Sequence, residues 1–204
     1  MELTGDRLAA FLVSVSFAAG LNLYATVATL GLLERLELVA LPAGLEVLAN
    51  DWVIGAAALL FLLEFVADKI PVFDLLWNAL QTFVRVPAAA LMGYAATSDL
   101  APAWQLAAVA LGGAIALAAH GGKTAARAAV TPSPEPFSNF VLSTAEDAFT
   151  IFVAWFATRH PFITAAIVLT LVAVIVLLIR FIIRALRAMF STASAAAPPR
   201  GGPS

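Results

Sequence analysis

The sequence predicts an all-α protein, a polytopic membrane bundle of about six transmembrane helices. Three observations carry this expectation. The first is composition: of 204 residues, 62% are hydrophobic and 12% charged, with a mean hydropathy of +0.97. A soluble domain carries roughly 25% charged residues, and a chain of this size cannot hide so many apolar side chains from water. The second is that the apolar residues gather into six runs, most of them near the roughly 20 residues that a spanning helix needs. The third is punctuation, since proline and glycine corners separate the runs. Period-two alternation is missing, which argues against a closed barrel.

The first run, Leu8–Leu33, is interrupted by the polar patch Gly20-Leu21-Asn22-Leu23-Tyr24. Leu41-Pro42-Ala43-Gly44 follows it. The second run is Trp52–Ala67, closed by the corner Asp68-Lys69-Ile70-Pro71. The third extends from about Val72 to Ala96 and contains Pro87, which either kinks or splits it. The fourth begins at Ala103, beyond Ser98-Asp99-Leu100-Ala101-Pro102, and continues through small residues towards Ala129. A stiff connector, Thr131–Pro136, precedes the fifth run, Phe137–Thr158. Arg159-His160-Pro161 turns it into the sixth, Phe162–Ile183. Residues 1–190 are thus expected to form one transmembrane helical domain, and 191–204 a disordered cytoplasmic tail.

With six crossings, nine of the eleven Lys and Arg residues fall on one side, Arg85 among them, and only Arg35 and Arg159 on the other. The basic side is cytoplasmic by the positive-inside rule. The expectation is a bacterial inner-membrane protein with both termini cytoplasmic. The acidic opening, Met1–Arg7, and the length of the first run argue against a cleavable leader.

Net charge −2 with no cysteine excludes thiolate chemistry and disulfides and leaves little for a nucleic acid to bind. His120 and His160 are expected on opposite sides, so no metal-ligand set forms. No cofactor is expected. The partners expected are the lipid bilayer and a second copy of the chain, because one subunit encloses little volume.

Ionisable residues inside a membrane cost several kcal/mol and are kept only where paired or wet. Glu146 and Asp147 lie near the middle of the fifth run. Adjacent helical residues point about 100° apart, so the two cannot share one narrow seam, and with few positive neighbours they suit proton coupling. Glu64 and Asp68 lie one turn apart at the end of the second run. They either bind a cation or proton, or pair with Lys123 and Arg127 at matching depth. Asn22, after Gly20, marks either a broken helix lining a site or close helix packing with an interhelical hydrogen bond. His120 either shuttles protons or caps the end of the fourth run. Arg180, Arg184 and Arg187 form a basic stripe suited to anionic lipid.

The third and fifth runs echo one another. A shift of 65 residues pairs Asp74 with Asn139, Asn78 with Ser143, Gln81 with Glu146, Thr82 with Asp147 and Arg85 with Thr150. Each set makes one polar stripe along a helix. Either the second and third runs are duplicated in the fourth and fifth, or two buried polar faces share a spacing.

Several segments resemble a known family. They are Gly20–Thr26, Leu45–Ala49, Glu64–Pro71, Ala119–Lys123, Ser133–Asn139 and the pair Glu146-Asp147. Together they resemble the bacterial membrane proteins grouped as domain of unknown function 4126. The resemblance covers about residues 10 to 160 and leaves the last run and the tail outside. It implies an integral membrane protein and carries over no activity and no site residues.

The leading expectation for function is a small transporter or channel-like protein moving a cation, a proton-coupled solute or a lipid-related substrate. Glu146 and Asp147 would couple, and Glu64 and Asp68 would gate with Lys123 and Arg127. The alternative is a scaffold or assembly factor whose polar groups only hold helices together. An enzyme acting on lipid head groups is the weaker reading, since it needs Glu64, Asp68, His120 and Lys123 within hydrogen-bond reach of one another.

Overall fold

The computed structural model describes residues 4–68, 71–130 and 136–195. Among these, every regular element is helical: α1 (Gly5–Leu21), α2 (Leu23–Arg35), a 3₁₀ segment (Ala43–Ala49), α3 (Asp51–Ala67), α4 (Pro71–Ala96), α5 (Pro102–Val130), α6 (Pro136–Arg159) and α7 (Pro161–Ala195). The all-helical bundle expected from composition is therefore present. By length and apolarity, three helical stretches can cross a membrane: Pro102–Arg127, Phe140–Arg159 and Pro161–Arg184. The 3₁₀ segment and α3, bent by 68° at their junction, make a fourth if taken together. α4 is 26 residues long and continuous through Pro87, so the proline does not split it. Its polar residues Asn78, Gln81 and Arg85 are buried.

The first expected span is not one helix. It breaks at Asn22, where φ is −149° and ψ 103°, and the two halves fold back on each other. Arg7 and Phe11, early in α1, line the same cavity as Glu34 to Pro42, at and beyond the end of α2. α1 and α2 form a fold-back helix pair with Asn22 at the tip. The bundle thus has a near end, where α1 starts, and a far end. Gly5 and Leu8 share a surface pocket with Thr97, Leu100 and Trp104, so α4 ends and α5 starts at the near end. Phe162 and Ile163 of α7 join Arg7 there. At the other extreme, a Cβ on Gly122 would meet Ile175. α7 therefore runs from near end to far end, and Gly5 and Arg184 lie at opposite ends of the bundle. The sequence reading expected both termini on one side of the membrane; in the bundle, Gly5 and Arg184 are separated by its length because the first run folds back on itself. α7 also continues as helix to Ala195, past the expected start of the tail at 191; residues 196–204 lie outside the described ones.

α1 is the centre of the packing. From Ala10 to Leu21 every residue is buried, as expected of a helix apolar all round. α4, α5, α6 and α7 all pack against it. α3 shows the opposite face to its surroundings: Leu59, Leu62, Leu63 and Val66 are exposed, and only Ala57, Glu64 and Ala67 are buried. Exposed Trp52, Trp104 and Tyr94 ring the near end, the position of an interfacial aromatic belt.

Glycine lets α1 approach α5. A Cβ on Gly20 would lie 2.5 Å from the Ala116 carbonyl oxygen and 2.7 Å from its Cα, both backbone atoms. Gly20→Ala is therefore expected to destabilise the protein by about 1–3 kcal/mol, read as a lowered melting temperature in detergent. Gly121→Ala, where a Cβ meets nothing within 4 Å, is the control and should not lower it.

Candidate functional site: a charged cluster at the tip of the re-entrant pair

A helix that stops inside a bundle leaves carbonyls without partners at its C-terminus and N–H groups without partners at the next N-terminus. The charged residues of α3, α4, α5 and α6 converge on this break. The last turn of α1 is met by cations. Lys123 Nζ donates to the Leu21 carbonyl at 3.3 Å, and Arg85 Nη1 to that of Gly20 at 3.4 Å. The start of α2 is met by an anion. Asn22 Oδ1 accepts from Ala25 N at 2.9 Å, capping α2, while Asn22 Nδ2 donates to Asp147 Oδ1 at 2.9 Å. Cations at a helix C-terminus and a carboxylate at an N-terminus each have the favourable sign against the helix dipole. Counting 1.5 Å per residue from Gly5 to Leu21, the tip lies about 24 Å along α1 from its start; a hydrocarbon layer is roughly 30 Å thick.

Around the tip the charges are cross-linked. Arg85 pairs with Glu64, and both side chains are fully buried. Lys123 Nζ is 3.1 Å from Asp68 Oδ2 and 3.6 Å from both Glu64 Oε1 and Glu146 Oε2. Arg127 Nη2 donates to Asp68 Oδ2 at 2.9 Å and to Glu146 Oε2 at 2.7 Å. His120 stands between Arg85 Nη1, at 3.2 Å from Nδ1, and Thr82 Oγ1, at 2.7 Å from Nε2. A guanidinium can only donate, so Nδ1 accepts and the proton is assigned to Nε2, which donates to Thr82.

Glu146 and Asp147 do point apart, one to Arg127 and Lys123 and the other to Asn22. The expectation of few positive neighbours fails for Glu146, because the far end of α5 supplies two cations. Glu64 and Asp68 are the ion-pair partners of α5 that matching depth suggested. Asn22 is both things at once: a true helix break, and an interhelical hydrogen bond beside a close glycine contact.

The two polar stripes approach the tip from either side. Gln81 Nε2 of α4 donates to Tyr24 Oη at 3.1 Å, and Asp147 of α6 meets Asn22. Asn78 and Ser143 are buried at the matched positions, as are Arg85 and Thr150. The side chains of Asp74 and Asn139 lie outside the described residues. A cavity of about 830 Å³ opens elsewhere, at the near end between Arg7, Glu34, Glu37, Arg159 and His160.

A model of one protein family matches residues 9–181, under the description "Domain of unknown function (DUF4126)". The chain belongs to this family. The match reaches into α7, further than the resemblance read from the sequence, which stopped near residue 160. Neither a curated protein nor a solved structure matches the chain.

Sequence reading placed Arg85 among the cytoplasmic charges, whereas it is a fully buried member of the cluster. The signal was available: Arg85 continues the spacing Asn78, Gln81 and therefore shares their buried face. The four groups required by the lipid-enzyme reading, Glu64, Asp68, His120 and Lys123, do come together. They are nonetheless at most 4% exposed and occupied by one another and by Arg85 and Arg127.

Proposed function

We propose that this chain is a small transporter or channel-like protein of the bacterial inner membrane, moving a cation, a proton-coupled solute or a lipid-related substrate. The observation that supports it is the helix break at Asn22, deep in the bundle, with freed helix ends facing Asp147 on one side and Lys123 on the other. Discontinuous helices of this kind bind ions and charged substrates in transporters because their ends carry partial charge. On this reading Asp147 and Glu146 are the coupling carboxylates and Asn22 positions Asp147. Glu64 and Asp68 with Lys123 and Arg127 form the gate, closed here.

The proposal places α3 to α7 as five crossings around the re-entrant pair. The far end faces the cytoplasm, because exposed Arg180, Arg184 and Arg187 extend α7 there. The near end, with Arg7, Arg35 and Arg159, then faces outward.

The test is flux of protons and alkali cations into sealed vesicles holding the purified protein. Asp147→Asn keeps an oxygen that can accept from Asn22, so its fold should survive and its flux should fall at least tenfold. Undiminished flux in the paired Glu146→Gln and Asp147→Asn variants removes the coupling role. The scaffold reading is favoured by a different observation, the mutual pairing of nearly all the buried charges. It expects those variants to lose melting temperature and the native protein to pass nothing.

A further inference from the structure

The Lys123 ammonium has the surroundings of a bound ion. Its Nζ is hydrogen-bonded to Asp68 Oδ2 and to the Leu21 carbonyl at the end of α1, with Glu64 Oε1 and Glu146 Oε2 at 3.6 Å. These are four oxygens from three separate elements, α1, α3 and α6, and Lys123 itself is 3% exposed. A half-helix C-terminus with carboxylates beside it is the oxygen set that holds a monovalent cation in a broken-helix site. Magnesium and calcium need oxygens at about 2.0–2.6 Å, closer than any of these. The 3.1 Å to Asp68 Oδ2 and 3.3 Å to the Leu21 carbonyl are hydrogen-bond lengths, suited to a larger cation that donates, while the two oxygens at 3.6 Å contribute charge. Glu64 Oε2, fully buried, has no hydrogen-bond partner among the described residues, so the site holds spare acceptor capacity.

We propose that Lys123 is a tethered cation filling a monovalent-cation site built by the end of α1, α3 and α6, a site that takes a free cation of ammonium size when the side chain is absent. This rests on the transport reading and deepens it by naming the class of cation that the cluster would hold. The ammonium faces Glu64 and Asp68 of α3 and Glu146 of α6, with Asp147 of the same helix at the tip. Arg85 of α4 and Arg127 and His120 of α5 stand beside it. Once the Lys123 side chain is removed, the carboxylates lack one countercharge, and a free cation of ammonium size can take its place.

The experiment uses the full chain in detergent, where no flux is read, so its failure is separate from that of the transport reading. Lys123→Ala is melted in choline, sodium, ammonium and methylammonium chloride at equal ionic strength. Ammonium and methylammonium are expected to raise its melting temperature saturably, by roughly 5–10 °C at a hundredfold excess over the dissociation constant, and to leave the native protein unchanged. Lys123→Gln, which refills the space with a neutral side chain, should show no such rise. Equal melting in all four salts overturns the proposal. So does failure of Lys123→Ala to fold in methylammonium as well as in choline, since occupancy of the site is expected to restore the fold.

Discussion

Arg85→Leu should lower the stability of the protein by about 3–5 kcal/mol, the usual result of removing one partner of a buried ion pair. In a chain of this size that is a fall of roughly 6–20 °C in melting temperature. The reason lies less in the attraction lost than in what remains. Glu64 would keep a charge with no water to solvate it, as both side chains are fully buried. The Gly20 carbonyl and His120 Nδ1 would each lose a donor as well. Glu64→Leu alone should cost a similar amount by stranding Arg85. The double variant, with both charges gone, should recover more than half of either loss, because a well-packed apolar pair does as well as an ion pair away from water. Additive losses in the double variant would mean that the two groups are not partners.

The second large effect is expected at Asn22, where one side chain does two jobs. Its oxygen caps α2 and its nitrogen satisfies Asp147. Asn22→Leu removes a cap worth about 1 kcal/mol and a hydrogen bond to a buried carboxylate worth about 1.5–3 kcal/mol, so a total of about 2.5–4 kcal/mol is expected from denaturant or thermal unfolding. Asp147→Asn should cost clearly less, because an amide oxygen can still accept from Asn22 Nδ2. The ordering is the informative part: a larger loss in Asp147→Asn than in Asn22→Leu would place the main partner of Asp147 somewhere other than the tip.

Much of the bundle was legible because apolar run length and turn chemistry are local signals. The boundaries Trp52–Ala67, Phe137–Thr158 and Phe162–Ile183 agree with α3, α6 and the apolar part of α7 to within a few residues. The fold-back of α1 on α2 was not legible. Gly20 and Asn22 interrupt a helix in the same way whether the chain then continues across the membrane or turns back. What decides is packing: the pocket that brings Arg7 beside Glu34 is a long-range fact. That uncertainty spread to the charges. Counting Arg85 with the loops made the six-crossing split look cleaner, although its place on the Asn78 and Gln81 face already argued for burial. The pairing of α3 acids with α5 bases was legible as a match in depth, whereas the choice of Glu64 for Arg85 was not, since three carboxylates and three cations at one depth admit several pairings.

On the proposed function, α1 and α2 enter and leave by the same face, so that the acids and bases at their tip are held inside the membrane. The chain has no cysteine, so single cysteines report cleanly. Asp6→Cys, Glu37→Cys and Arg187→Cys, all at exposed positions, would be treated with a membrane-impermeant maleimide in intact cells and again after lysis. The first two should react from outside and the third only after the membrane is opened. Labelling of Asp6→Cys from the same side as Arg187→Cys, with Glu37→Cys opposite, would mean that the first run crosses the membrane and that the re-entrant pair does not exist.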